Sequence, residues 1–177
     1  MGKRFASTAL ALALGAGSFG IGSLGAGVAG AAPEGLGGPT GSLGTYCPAI
    51  PTDLVTRAVK RLAPPFPDRA WVVDGRGSSL DCSLNWVRLD TEGGTVASPT
   101  QILWFNRFDY VGTVTRKPTA LTLVLGSWAP GQVTVRFRWP IGDDANAAPS
   151  GRADVRFQAQ AGGPPKALDR IPPQAGG

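Results

Sequence analysis

The sequence contains no histidine. That removes the usual proton acceptor beside a serine or cysteine nucleophile, so Ser-His-Asp and Cys-His systems are excluded. Cysteine is nearly missing too, with Cys47 and Cys82 the only two. Two thiols without histidine cannot complete a four-ligand zinc site unless carboxylates join them, and the spacing suggests no such set. Charged residues are 16% of the chain and form no long run of one sign. The high pI reflects arginine without histidine and does not by itself point to nucleic acid. Paired carboxylates for acid–base hydrolysis are not evident. The acids sit in turn-like contexts, Asp74-Gly75, Asp90-Thr91-Glu92-Gly93 and Asp143-Asp144, where they hydrogen-bond their own backbone. No Ser-Lys motif is present. A non-enzymatic protein without a cofactor is expected.

What is present begins at the N-terminus. Lys3 and Arg4 supply a positive start, and Ala9 to Leu14 form an apolar run. A Gly/Ala-rich stretch then leads to Ala29-Gly30-Ala31, the small-x-small pattern of a cleavage site, ahead of Ala32-Pro33. Residues 1–31 therefore read as a signal peptide cut between Ala31 and Ala32. The alternative, an uncleaved span, is disfavoured by Gly15, Gly17, Gly20, Gly22, Gly25 and Gly27, each costing about 1 kcal/mol in a helix relative to alanine. A lone arginine also argues against a twin-arginine signal. A lipoprotein would carry a cysteine at this junction; none stands there, so no lipid anchor is expected.

Removing 31 of 177 residues leaves 146, enough for one domain with a real core. Losing Lys3 and Arg4 leaves a net charge of +3. So mild a charge, on an exported chain, gives no reason to expect a nucleic-acid partner. In an oxidising compartment Cys47 and Cys82 are expected to pair, closing a loop of about 36 residues worth roughly 3–4 kcal/mol. Two free thiols or an intermolecular bridge are the alternatives.

Residues 32–46 are rich in Gly and Pro without periodicity and read as a flexible leader. Residues 172–177 read as a disordered tail with nothing to bury, leaving 47–171 as a single domain. Its first element is an amphipathic helix: Thr52 as N-cap, Asp53 against the helix dipole, Leu54, Val55, Ala58, Val59 and Leu62 on one face, and Pro64-Pro65 as the stop. Strand patterns follow at Ala70–Val73, Asp81–Leu89, Gln101–Phe105, Tyr110–Thr115, Ala120–Leu125, 133–139 and 153–158, with a further segment near Ala167–Ile171 at an edge. Asp74-Gly75 reads as the turn ending the first. Ile102-Leu103-Trp104-Phe105 is apolar on both faces and needs cover on both sides. The expected fold is α+β: one N-terminal amphipathic helix packed on a curved antiparallel sheet of about six strands.

Two patterns carry binding chemistry. If 133–139 pairs with 153–158, then Arg136, Arg138 and Arg156 share an outward face near Asp154, a cluster suited to an anionic envelope component. The plainer reading is a solvated face with partial ion pairing. Five tryptophans raise the prospect of rings stacking on sugars; Trp86, Trp104 and Trp139 fall in strands and belong to the core, while Trp128, beside Pro130-Gly131, is the one placed to be exposed. Gly142-Asp143-Asp144-Ala145-Asn146 offers too few oxygens for a calcium loop and reads as an Asx-type turn, so no metal is expected.

The motif order also resembles a known family. Cys82-Ser83-Leu84-Asn85-Trp86-Val87, Val111-Gly112-Thr113, Thr134-Val135-Arg136-Phe137-Arg138-Trp139, Gly142-Asp143-Asp144, Pro149-Ser150-Gly151, Val155-Arg156-Phe157 and Ile171-Pro172 together resemble the LppP/LprE family of actinobacterial envelope lipoproteins over roughly 46–173. The resemblance implies a location in the cell envelope and no established chemistry. Family lipoproteins carry a junction cysteine where this chain has Ala31-Ala32-Pro33. Some also carry a Cys-Cys pair where it has Ala147-Ala148. The expected function is that of an exported protein that binds or organises envelope components, its ligand open and an anionic component or another exported protein the candidate partners. A scaffold for another exported protein and a carrier of a lipid-like small molecule are the alternatives.

Overall fold

The computed structural model describes residues 46–175. The expected signal peptide, its cut at Ala31 and Ala32, and all of the leader but Tyr46 lie outside the described residues. The described chain opens with helix α1 (Thr52–Val59) and continues as β1 (Trp71–Ser78), β2 (Leu84–Thr91), β3 (Thr100–Asn106), β4 (Asp109–Thr113), β5 (Thr122–Gly126), β6 (Gln132–Trp139), β7 (Gly151–Gln160) and β8 (Gly163–Ala167). The strands make two four-stranded antiparallel sheets, β1-β2-β3-β4 and β5-β6-β7-β8, each a meander of consecutive hairpins.

This corrects the expected helix on one six-stranded sheet. The described residues form a predominantly β structure of two facing sheets, with a single short α-helix among them on the outside of the first. The reason lies in β3. Leu103 and Phe105 pack with Val55, Ala58, Val87 and Leu89 in a core under the helix. Ile102 and Trp104 point the other way, into a second core with Leu84, Val133, Val135, Phe137, Val155 and Phe157. A sheet curled round a helix buries one face; β3 needed two partners, and a second sheet is the second. Across that interface Trp104, 1% exposed, meets Phe157 with ring centroids 5.3 Å apart. The chain changes sheet between β4 and β5, where Thr100 and Thr119 exchange backbone hydrogen bonds and Leu121 adopts φ 60°.

Local expectations are corrected as well. Pro51, not Thr52, occupies the helix N-cap; no side chain caps it, and its carbonyl accepts from the N–H groups of Leu54 and Val55. The helix ends at Val59, and two tighter turns carry the chain to Leu62, because residues ahead of Pro64-Pro65 are biased away from helical conformation. Asp74-Gly75 does not turn the chain: β1 runs on to Ser78 with a bulge between Val73 and Gly75. Residues 172–175, assigned to the tail, include a 3-10 turn at Pro173–Ala175 whose Ala175 is 3% exposed and packs in the inter-sheet core.

Two cross-strand pairs use glycine for close approach. Gly77 pairs with Trp86 and Gly151 with Trp139. A side-chain carbon on either glycine would come within 2.6 Å and 2.5 Å of the respective indole. Both tryptophans thus lie flat against the neighbouring backbone at the rim of the inter-sheet core.

At one end of the molecule the sheets are tied together. Cys47 and Cys82 form a disulfide with Cα atoms 5.4 Å apart, anchoring the segment before α1 to the β1–β2 loop. In the same loop one carboxylate oxygen of Asp81 accepts from the Ser79 hydroxyl, the Ser83 hydroxyl and N–H, and the Gly131 N–H. Burial pushes the Asp81 carboxyl up, but these hydrogen bonds outweigh it and bring the pKa down to about 2.

Candidate functional site

The outer face of the second sheet is built by alternation on β6. Val133, Val135 and Phe137 go to the core, which sends Thr134, Arg136 and Arg138 to the opposite face, where Thr134 is covered and the two arginines are partly exposed. The register sets Thr134 opposite Arg156, Arg136 opposite Asp154 and Arg138 opposite Arg152. Gln158 pairs with Lys166 of β8. The sequence-derived trio Arg136, Arg138 and Arg156 does share one face, and the structure adds Arg152 and Lys166 to it. Arg152 was missed because β7 was expected to begin at 153, whereas it begins at Gly151.

The five basic groups are not equivalent. Arg136 grips Asp154 side-on, Nε and Nη2 each donating at 2.7 Å. That hydrogen bond raises the Arg136 pKa and lowers that of Asp154. Arg156 donates from Nε and Nη2 to Asp169 at 2.9 and 2.8 Å. Those bonds, with one from the Arg156 N–H, hold the Asp169 carboxyl at about 2. Arg138 donates only to the backbone carbonyl of Pro149, at 2.8 Å. Arg152 is exposed and, among the described residues, makes no side-chain hydrogen bond; it feels Asp154 only through longer-range attraction. Two like charges therefore stand directly opposite each other, an arrangement that destabilises a sheet unless an anion lies between them. Counting Asp154 and Asp169, the face carries five positive and two negative side chains.

Other acids are held structurally. Asp74 and Asp90 converge, but on Arg88, which hydrogen-bonds Asp74 and ion-pairs with Asp90 and donates through Nε to the Thr122 carbonyl of the other sheet at 3.1 Å. Burial raises the Asp90 carboxyl, against the pull of Arg88. In the β6–β7 loop one oxygen of Asp144 accepts from the Ile141 N–H and from the N–H and hydroxyl of Ser150, which lowers its pKa and closes the loop on itself. The space between helix and first sheet is filled by Val87, Leu89, Leu103 and Phe105, none with measurable exposure. An open hollow of about 340 Å3 lies elsewhere, among residues including Phe66, Arg69, Thr91 and Ser98. Of the tryptophans, Trp128 is 65% exposed and Trp104 is buried, while Trp86 and Trp139 are partly buried against the core.

The sequence is similar to that of known proteins. The LppP/LprE lipoprotein family model matches residues 77–161, from the end of β1 through β7. Proteins named lipoprotein LppP in Mycobacterium bovis and in two strains of Mycobacterium tuberculosis are 34% identical over 122 residues, covering 69% of this chain and 69% of their own. The chain belongs to the LppP/LprE lipoprotein family. Membership in a family of lipoproteins marks it as an extracytoplasmic, envelope-associated protein. Within the LppP/LprE match fall strands β2 to β7 and the last two residues of β1, and the match includes Arg136, Arg138, Arg152 and Arg156. No solved structure matches the chain.

Proposed function

We propose that this LppP/LprE family member is a non-catalytic envelope protein that holds an anionic envelope component against the outer face of its second sheet. The observation that carries the reading is the opposition of Arg138 and Arg152, two guanidinium groups in register with no carboxylate among the described residues bonded to either. Guanidinium forks match carboxylate and phosphate oxygens in pairs, and a water-exposed sheet leaves them open to such groups. Ala31-Ala32-Pro33 supplies no cysteine for a lipid, so the proposal rests retention in the envelope on contacts such as these.

Titration of the full chain with soluble polyphosphate at low and at high salt tests the reading. Saturable, salt-sensitive binding that disappears in Arg138→Ser/Arg152→Ser supports it; equal binding by wild type and variant overturns it. A second reading, docking of another exported protein, is favoured by the edge strand β1, where Val72 and Val73 are 41% and 43% exposed. An edge of that kind can accept an added strand.

A further inference from the structure

We infer that the outer face of the second sheet is a track for a linear acidic polysaccharide, with Trp128 stacking on a sugar ring at one end and Arg138 with Arg152 holding an acid group at the other. This rests on the anion-binding reading above and names the kind of anion.

The argument begins with Trp128, which neither core uses. Its indole is 65% exposed and comes within 3.9 Å of where a side chain on Gly126 would begin. Gly126 pairs with Thr134, a covered residue on the outer face of β6. The exposed ring therefore lies beside the Thr134 end of the row Thr134, Arg136, Arg138. At about 3.3 Å per residue the backbone from Thr134 to Arg138 runs about 13 Å, a span that suits several linked sugars and exceeds a single small anion.

The middle of the row suits a polar polymer. Arg136 is fixed side-on by Asp154 but a guanidinium has five N–H donors, so the remaining donors stay available to hydroxyl and ring oxygens. Exposed Leu123 pairs with Arg136 on its other side and offers an apolar edge to a sugar face. A lipid surface fits less well. Membrane-adsorbing faces combine flexible lysines with inserted apolar side chains, and this face carries one lysine, Lys166, with its two central arginines locked in bidentate pairs. A free phosphate would engage the Arg138–Arg152 end and leave Trp128 without a role.

The test measures affinity of the full chain for three probes by calorimetry: oligogalacturonates of graded length, polyphosphate, and phosphatidylglycerol vesicles. Affinity for oligogalacturonate is expected to rise with length until the track is filled. Trp128→Ala is expected to weaken the longer oligomers about ten-fold, with polyphosphate binding unchanged and Trp128→Phe restoring most of the loss. Because Trp128 lies on the surface, its replacement leaves the core intact, and an unchanged melting curve verifies this. If Trp128→Ala changes no probe while Arg138→Ser/Arg152→Ser abolishes all of them, the glycan track fails and the anion-binding reading stands. Stronger binding to vesicles than to any oligomer makes a membrane the occupant and overturns the inference. Indifference of every probe to the arginine pair overturns both readings.

Discussion

Asp81 and Gly131 are 50 positions apart in the chain, and the Gly131 N–H donates to the Asp81 carboxylate at 2.7 Å. The contact joins the β1–β2 loop of the first sheet to the turn that launches β6 of the second. It also places the charge of Asp81 where four donors converge.

Acid stability should report that convergence. The Asp81 carboxyl stands at about 2 in the folded chain, below its unfolded value, so the ionised form is favoured by folding. Its contribution is complete above the unfolded pKa and is lost as pH falls from about 4 through about 2. Asp169 works in the same window and the same direction. Asp90, raised by burial, works oppositely: its protonation favours the folded state. Replacing Asp81 with Asn should cost about 1–2 kcal/mol at neutral pH, discounted for its exposure to water, and flatten the fall in stability below pH about 4. Urea unfolding at several pH values measures both effects, and an unchanged pH profile would remove Asp81 from the account.

The inter-sheet core should be most sensitive at Trp104. Removing its buried ring leaves a cavity facing Phe157, so Trp104→Ala is expected to lose about 3–5 kcal/mol in equilibrium unfolding. A loss below about 1 kcal/mol would mean that the two sheets do not pack as described.

The tryptophan–glycine pair Trp86–Gly77 predicts coupling, since the three atoms nearest a side chain at Gly77 all belong to the indole. Gly77→Ala places a methyl group against that ring and should cost about 1–3 kcal/mol through overpacking. In a Trp86→Leu background the same substitution should cost much less. The double-mutant cycle gives the interaction energy directly, and additive costs would show that the indole does not cover that backbone.

The basic face separates binding from folding. Arg138→Ser/Arg152→Ser removes an opposed like-charge pair, so thermal stability should stay constant or rise by about 0.5 kcal/mol, while polyanion binding is lost. Arg136→Ser leaves Asp154 without its bidentate partner and should lower stability slightly, by under about 1 kcal/mol. A clear destabilisation by the double substitution would recast the pair as structural.

Much of this organisation can be read from residue order, and the unread parts have physical causes. Strict alternation placed β6 and β7 and turned Arg136, Arg138 and Arg156 to one side. Two cysteines in an exported chain pointed to the disulfide. The two-sided apolar character of Ile102–Phe105 announced cover on both faces. The identity of the second cover was hidden, because the link that changes sheets, between Thr113 and Thr122, is no longer than the β2–β3 and β6–β7 links that stay within one. Its left-handed turn falls on Leu121, not on a glycine. Asp74-Gly75 looks like a turn because bulges and turns draw on the same residues. Pairing 133–139 with 153–158 already set Asp154 beside the arginines, but the bonding of Arg156 to Asp169 depended on a segment beyond β8, which no strand pattern contains.

Neither sheet borrows a strand from the other, and this has a consequence for how the exported chain matures. The first four strands can complete their ladders before the second half has emerged, and Cys47 and Cys82 both lie in that half, so its crosslink can form early too. What the first half cannot do alone is cover Leu84, Ile102 and Trp104, which wait for Val133, Val135 and Phe157. Until β6 and β7 arrive, a paired and crosslinked sheet presents a bare apolar face, the kind of surface that aggregates or recruits chaperones. The disulfide does not shorten that interval. The Arg88 bond to the Thr122 carbonyl reaches across first, as β5 begins, and the clasp between Asp81 and Gly131 follows as β6 begins.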